Sequence, residues 1–324
     1  MGKKHTLHVC AGWQKWNGAA NIARMIMDEQ RREGHEVSFA TWAKVCDLRA
    51  ADEVWIHCGW LPCLWWAAFW AKRAYWMPEA CYDPVRLKFS AWKKKLAGPV
   101  ERWALRRCEK IVATCEAEKG WIEAYLGKRC PPIEVTDIKR FFDLNHVDHV
   151  EQVEGRSLHL LYLGRRHPLK GVEYLEAAVS ELNSSNPPLP TPPLLKIVSN
   201  AFGEEKEKVW EWCDVLVLPT LSENFGLVVA EALERGKRVI TTDGALVWNP
   251  GDRGQNLGDR GQELGASDEV GEGEDSSTST LNFDSNILIG YDGRLLYLNG
   301  YRDGTKEKRV ELLKKAIEGV RLRF

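Results

Sequence analysis

Short apolar runs recur along the chain, each closed by a polar or glycine-containing turn and followed by a stretch with helical spacing. Leu7–Ala11 reads as a first strand, Gly12–Ala19 as its turn, and Ala20–Arg32 as a helix that stops near Gly34. Gly34–Phe39, Asp52–His57, Tyr75–Met77 and Glu109–Thr114 continue the strand series, with an aromatic helix-like segment after His57 and a helix over Glu116–Leu126. A second series runs from the strand Leu158–Leu163 through a helix at Val172–Val179, a strand at Leu194–Val198, a helix at Glu204–Trp212 and a strand at Val215–Leu218. Leu227, Val228, Ala230 and Leu233 then mark a helix closed by Gly236, ahead of the strand Arg238–Thr242. Alternation of this kind predicts an α/β protein of two Rossmann-like, doubly wound domains. The turn-rich stretch before Glu151–Gly155 places the boundary there, giving domains 1–150 and 151–305 and a closing helix within 306–324.

Two segments break the pattern. Asn183–Pro193 is a proline-rich surface linker, and Gly251–Leu257 is repeated almost verbatim as Gly258–Leu264 ahead of an acidic, Ser/Thr-rich tract. Such composition cannot bury a core, so a disordered insertion is expected over about 250–283.

Composition narrows the function classes. With 324 residues the chain can form two cores, and a net charge of −1 gives no bulk electrostatic case for nucleic acid. Nine cysteines without a Cys-x-x-Cys pair argue for reduced thiols rather than disulfides or a zinc site, and Met1–His5 lacks the apolar core of a signal peptide, so a cytoplasmic protein is expected. Twelve of the fifteen tryptophans lie at or before Trp121. The uncharged run Gly59–Ala71 is nonetheless shorter than the about 20 apolar residues needed to cross a bilayer. Lys88, Lys93, Lys94 and Lys95, interleaved with Phe89 and Trp92, suit either peripheral contact with anionic lipid at the inner face of the membrane or a solvated basic helix beside an aromatic core.

The chemistry concentrates at two strand-to-helix turns, where open parallel sheets bind ligands. Glu223 and Glu231 stand eight residues apart around Asn224-Phe225-Gly226-Leu227, one carboxylate at the expected helix entrance and the other about two turns further in. The helix start offers free amides and a positive dipole end to an anion. Glu223 cannot itself hold a phosphate, since two anions repel. Upstream, Gly164-Arg-Arg-His-Pro-Leu-Lys-Gly171 supplies two cations: Arg165, or alternatively Arg166, can fork two phosphate oxygens, and Lys170 can act as a point charge.

Pro219, Glu223, Phe225, Gly226, Glu231, Ala232, Gly236, Val239 and Ile240, with the Gly-Arg-x-x-x-x-Lys-Gly loop, resemble the retaining glycosyltransferases of family 4, which have the two-domain GT-B fold. The resemblance is strong over 158–244 and loose before 150. It implies a nucleotide-diphosphate sugar as donor and a glycan or lipid-linked acceptor, as in cell-surface polysaccharide or lipopolysaccharide assembly. It implies that Glu231 binds ribose hydroxyls, that Glu223 steers the sugar, and that Arg165 with Lys170 stabilises the departing diphosphate. Amides of Asn224, Phe225, Gly226 and Leu227 contact the donor, and no metal or other cofactor is expected. Gly18 occupies the place of a small-residue turn that approaches the phosphates, though it equally serves an ordinary turn. His57 and Glu79 at strand ends are further candidates, Pro78-Glu79 standing where many members carry a histidine.

Three departures accompany the likeness. Only one strand and one helix are expected between the helix after Gly171 and Pro219, where the family has an additional unit, so the second domain is shortened. Ser199–Gly203 replaces a Gly-x-Gly turn, and the insertion replaces a Gly-Gly turn after Asp243. Two rivals remain: a nucleotide-sugar 2-epimerase of the same fold, and a non-catalytic scaffold descended from the enzyme.

Overall fold

The computed structural model describes residues 3–11, 18–144, 155–199, 201–250, 286–291 and 293–323. The expected domain boundary, nearly all of the insertion and most of the first turn lie outside these residues.

The N-terminal half is a six-stranded parallel sheet ordered β2-β1-β3-β4-β5-β6. Its strands are β1 (His5–Cys10), β2 (Glu36–Ala40), β3 (Glu53–His57), β4 (Ala74–Met77), β5 (Lys110–Ala113) and β6 (Ile133–Val135). The interleaved helices are α1 (Gly18–Arg32), α2 (Val45–Ala50), α3 (Pro62–Trp70), α4 (Pro84–Lys88), α5 (Ala91–Leu105) and α6 (Glu116–Leu126). β4 is buried along its whole length, as expected of a parallel strand covered on both faces. β6 has no apolar run to announce it: it is a three-residue edge strand whose central Glu134 points to solvent and pairs with Lys110.

The second sheet is ordered β11-β12-β10-β9-β7-β8, parallel except for the antiparallel edge strand β11. It comprises β7 (His159–Leu163), β8 (Leu194–Val198), β9 (Val215–Leu218), β10 (Arg238–Thr242), β11 (Ile287–Gly290) and β12 (Leu295–Leu298). Its helices are α7 (Val172–Asn183), α8 (Glu204–Trp212), α9 (Leu227–Glu234) and α10 (Lys306–Arg323), the last packed back on α7. Only β8 and α8 separate α7 from β9, as the sequence indicates for a shortened domain. No helix among the described residues is long and apolar enough to cross a membrane.

The chain order reverses beside β1 in the first sheet and beside β7 in the second. In open parallel sheets a crevice forms at the carboxyl ends of the strands flanking such a switch. In the second sheet these are β7 and β9, the strands that lead into the two motif loops. One continuous buried cluster runs through both halves: Ile22, Ile26, Met77 and Val112 belong to the same apolar body as Leu160, Leu216 and Ile240. A separate cluster under α3 and α5 contains Trp76, Leu64 and Leu105.

Candidate functional site

The two motif loops are fastened to each other through their backbones. The Leu169 carbonyl accepts from the Leu221 amide at 2.8 Å and from the Thr220 hydroxyl at 2.9 Å. Gly171 has φ +62°, and a Cβ there would lie 2.1 Å from the Pro219 carbonyl oxygen, so only glycine permits this approach. From the other side the Glu223 amide donates to the Gly244 carbonyl at 2.8 Å, and a Cβ on Gly244 would come 2.1 Å from the Thr220 carbonyl.

This fastening brings Lys170 against Glu223, so that the Lys170 ammonium donates an ion-paired hydrogen bond to the Glu223 carboxylate with both side chains mostly covered. Burial, aided by Arg86 and Arg165, pushes the Lys170 ammonium down to about 7. Glu223 stands in the loop four residues before α9, and Glu231 is one turn inside it, so the pair straddles the helix start. Gly226, at φ +68°, turns the chain into the helix, and the amides of Phe225, Gly226 and Leu227 find no acceptor among the described residues. The Asn224 amide donates to Glu223 Oε1 at 3.0 Å. Phe225 is buried between Phe142 and Trp248, which fixes the loop from beneath.

The other expected residues are distributed unevenly. The exposed Arg165 has no side-chain hydrogen bond among the described residues, yet is near enough to Lys170 and His167 to depress both. Arg166 is paired with Glu176 at 2.5 Å on the surface. Glu231 is paired with Lys206 of α8 at 2.6 Å. Gly18 is exposed, begins α1, and has nothing within reach of its Cβ position.

Across the cleft, the first domain contributes a residue that the sequence did not single out. Arg86 of α4 donates from Nε to the Ser222 hydroxyl at 2.9 Å and from Nη2 to the Ser222 carbonyl at 3.4 Å, and lies 4.0 Å from Glu223. Its partners are 136 residues away, beyond any local pattern. The preceding Asp83 caps α4 through the Val85 amide at 2.8 Å, accepts from the Ser222 hydroxyl, and pairs with Arg302 after β12. Thr114 Oγ1, 3.1 Å from Asn224 Oδ1, makes a further contact between the domains. Arg86 and Lys170 therefore meet at one carboxylate, Glu223, with Arg165 acting on Lys170.

His57 is fully buried and does not reach the cleft itself, which corrects its expected placement there. Its ring bridges His8 Nδ1 at 3.0 Å and Glu79 Oε1 at 3.2 Å, and His8 continues to Gln30 at 2.8 Å. Desolvation lowers both histidines to about 3 and holds Glu79 well above the ordinary carboxylate range, with Glu118 adding to the rise. Burial therefore favours the neutral form of the Glu79 carboxyl. Cys58, Trp60, Glu79 and Ala80 all adopt positive φ, between 56° and 71°, at the ends of β3 and β4. Such backbone strain clusters at ligand sites.

No group of three or more His, Cys, Asp or Glu side chains suited to a metal occurs among the described residues. No protein-family model and no curated protein sequence matches the chain. Solved structures do. Sucrose-phosphate synthase from Thermosynechococcus elongatus superposes with a TM-score of 0.55 at 13% identity, covering 74% of this chain and 81% of that one. WaaG, a glycosyltransferase involved in lipopolysaccharide biosynthesis, gives 0.55 at 11% identity over 98% and 92% of the two chains. The fold is GT-B. Anabaena HepE, solved with UDP-glucose, gives 0.52 at 14% identity over 75% and 82%. The Lys170 and Glu223 loops follow β7 and β9 of the second sheet, and Arg86 meets them from the first domain, while Glu79 stays buried behind it.

Proposed function

We propose that this protein is a retaining glycosyltransferase of family 4, moving a hexosyl group from a nucleotide-diphosphate sugar to a glycan or lipid-linked acceptor in cell-surface polysaccharide or lipopolysaccharide assembly. The observation that carries the reading is the convergence of Lys170 and Arg86 on Glu223 in the loop before α9, with Arg165 near Lys170 and the unbonded amides of Phe225, Gly226 and Leu227 at the same helix start. A diphosphate leaving group gains charge as the glycosidic bond breaks, and fixed cations with helix-start amides stabilise that charge in a site closed to water. Glu231 binds the ribose hydroxyls after giving up Lys206, and Glu223 steers the sugar. The acceptor hydroxyl attacks from the face the diphosphate leaves, and a leaving-group oxygen takes its proton, so no separate protein base is required. The residues present need no metal for this.

One observation favours a second reading. Glu79, whose carboxyl burial raises and which His57 contacts at 3.2 Å, is an acid/base group behind Arg86, of the kind a nucleotide-sugar 2-epimerase would use; formation of a new nucleotide sugar from donor alone would decide for it.

The test is calorimetric titration with UDP, GDP, ADP, CMP and their sugar conjugates, repeated in Glu231→Ala and Arg165→Ala. HepE was solved with UDP-glucose, which makes UDP the first nucleotide to try. Binding of one nucleotide that is lost in both variants supports the reading, and binding of none overturns it.

A further inference from the structure

Helix α5 carries Trp92, Leu96, Val100 and Trp103 at intervals of four, four and three residues, a spacing that gathers them on one helix face. In a helix lying on a globular core that face should point inward. Here it points outward: Trp92 is 66% exposed, Leu96 73%, Val100 43% and Trp103 44%, while Gly98, Glu101, Ala104 and Leu105 make the buried side. Helix α3 adds the exposed Trp66 and Phe69, and the Phe69 ring lies 5.5 Å from that of Trp103, so the two helices share one apolar surface.

The rim of this surface is cationic. Residues 84–107 contain eight Lys and Arg and a single acidic residue, Glu101, which is buried and bonded to Tyr82 and Trp65. Lys88, Lys93, Lys95, Arg106 and Arg107 are exposed, and Arg107 lies over the rings of Phe69 and Trp103 at 5.4 and 5.3 Å. Since the whole chain carries a net charge of −1, the concentration is local. Aromatic rings among cations with long apolar stems match the layer where acyl chains meet anionic headgroups.

We infer that the α3–α5 face docks on the surface of an anionic lipid bilayer, with both helices lying in its plane. Charge decides the occupant: a second copy placed by two-fold symmetry would set the same cationic rims opposite each other. The surface also adjoins the cleft. Phe89, at the end of α4, lies 5.8 Å from His167 in the Lys170 loop, so a docked protein holds the cleft mouth at headgroup level. That placement selects a membrane-anchored acceptor, a consequence that rests on the proposed transferase reading, whereas the docking itself does not.

The experiment is co-sedimentation of the full chain with vesicles of phosphatidylcholine alone and of phosphatidylcholine mixed with phosphatidylglycerol. Partitioning is expected only into the mixed vesicles and should weaken with added salt. Lys93→Glu with Lys95→Glu should reduce it by at least about thirtyfold, from roughly 1 kcal/mol per cation near the surface. Trp92→Ser with Leu96→Ser should abolish it; these residues are exposed, so circular dichroism and nucleotide titration should be unchanged. Equal binding to both vesicle types, binding to neither, indifference to the four substitutions, or a dimer in sedimentation velocity that Trp92→Ser with Leu96→Ser dissociates would each overturn the inference. Nucleotide affinity is measured without vesicles, so vesicle binding without nucleotide binding removes the transferase reading and leaves the docking intact.

Discussion

Glu223→Gln should tighten nucleoside diphosphate binding while abolishing sugar transfer. Without donor, Glu223 is the carboxylate that Lys170 and, at 4.0 Å, Arg86 share among the described residues. A diphosphate must take those cations from it. Breaking a fully buried ion pair costs about 3–5 kcal/mol. The Lys170 and Glu223 side chains keep 18% and 17% exposure, so solvent screening reduces this to about 2 kcal/mol. The variant should therefore lose about 2 kcal/mol of stability, or about 4–8 °C in Tm. The unpaired cations then return about 1–2 kcal/mol to an incoming diphosphate, a five- to thirtyfold lower Kd by the roughly 1.4 kcal/mol per tenfold relation. Calorimetry with UDP on both proteins reads the affinity, and a thermal melt without nucleotide reads the stability. Weaker or unchanged UDP binding in Glu223→Gln would show that the cations do not receive the diphosphate, and would refute the reasoning.

Three further outcomes follow from the same geometry. Gly171→Ala combines left-handed strain with a Cβ 2.1 Å from the Pro219 oxygen and should cost about 3 kcal/mol or more in urea unfolding while removing nucleotide binding; near-normal stability would show that the two loops can separate freely. Asp83→Asn should cost about 3 kcal/mol, and a cycle with Arg302→Met should give a coupling of about 1 kcal/mol or more, whereas additive losses would mean that this contact between the domains contributes nothing. Burial raises the Glu79 carboxyl in the fold, so the unfolded chain releases its proton first as pH rises and the native state loses stability above the unfolded pKa. Relative to wild type, Glu79→Gln should gain about 1.4 kcal/mol per pH unit above about 4.3 until Glu79 itself ionises; parallel urea-midpoint profiles would contradict the burial argument.

The motif loops were legible because their residues answer local demands: Gly171 and Gly226 need positive φ, Pro219 ends a strand, and Leu227–Leu233 has helical spacing. What escaped depends on distance or on sparse signal. Arg86 looks like one more cation until the fold carries it to Ser222, and the Glu79–His57–His8 chain joins three strand regions that no spacing connects. β6, Ile-Glu-Val, is an edge strand of three residues, too short for its alternation to declare itself. The α5 stripe runs against pattern, since apolar residues at helical spacing ordinarily face a core and this face is exposed.

The apolar cluster that joins Ile22, Ile26, Met77 and Val112 to the core of the second sheet has a kinetic meaning. Two lobes that share buried side chains do not swing apart freely, because opening the crevice exposes part of that common core to water. On the proposed transferase reading, the closed form is then the resting form, and the slow event in each cycle would be the parting of the lobes that lets the spent nucleotide leave. Turnover should respond to solvent viscosity and to the size of the side chains at Ile22 and Ile26, far from the reacting atoms.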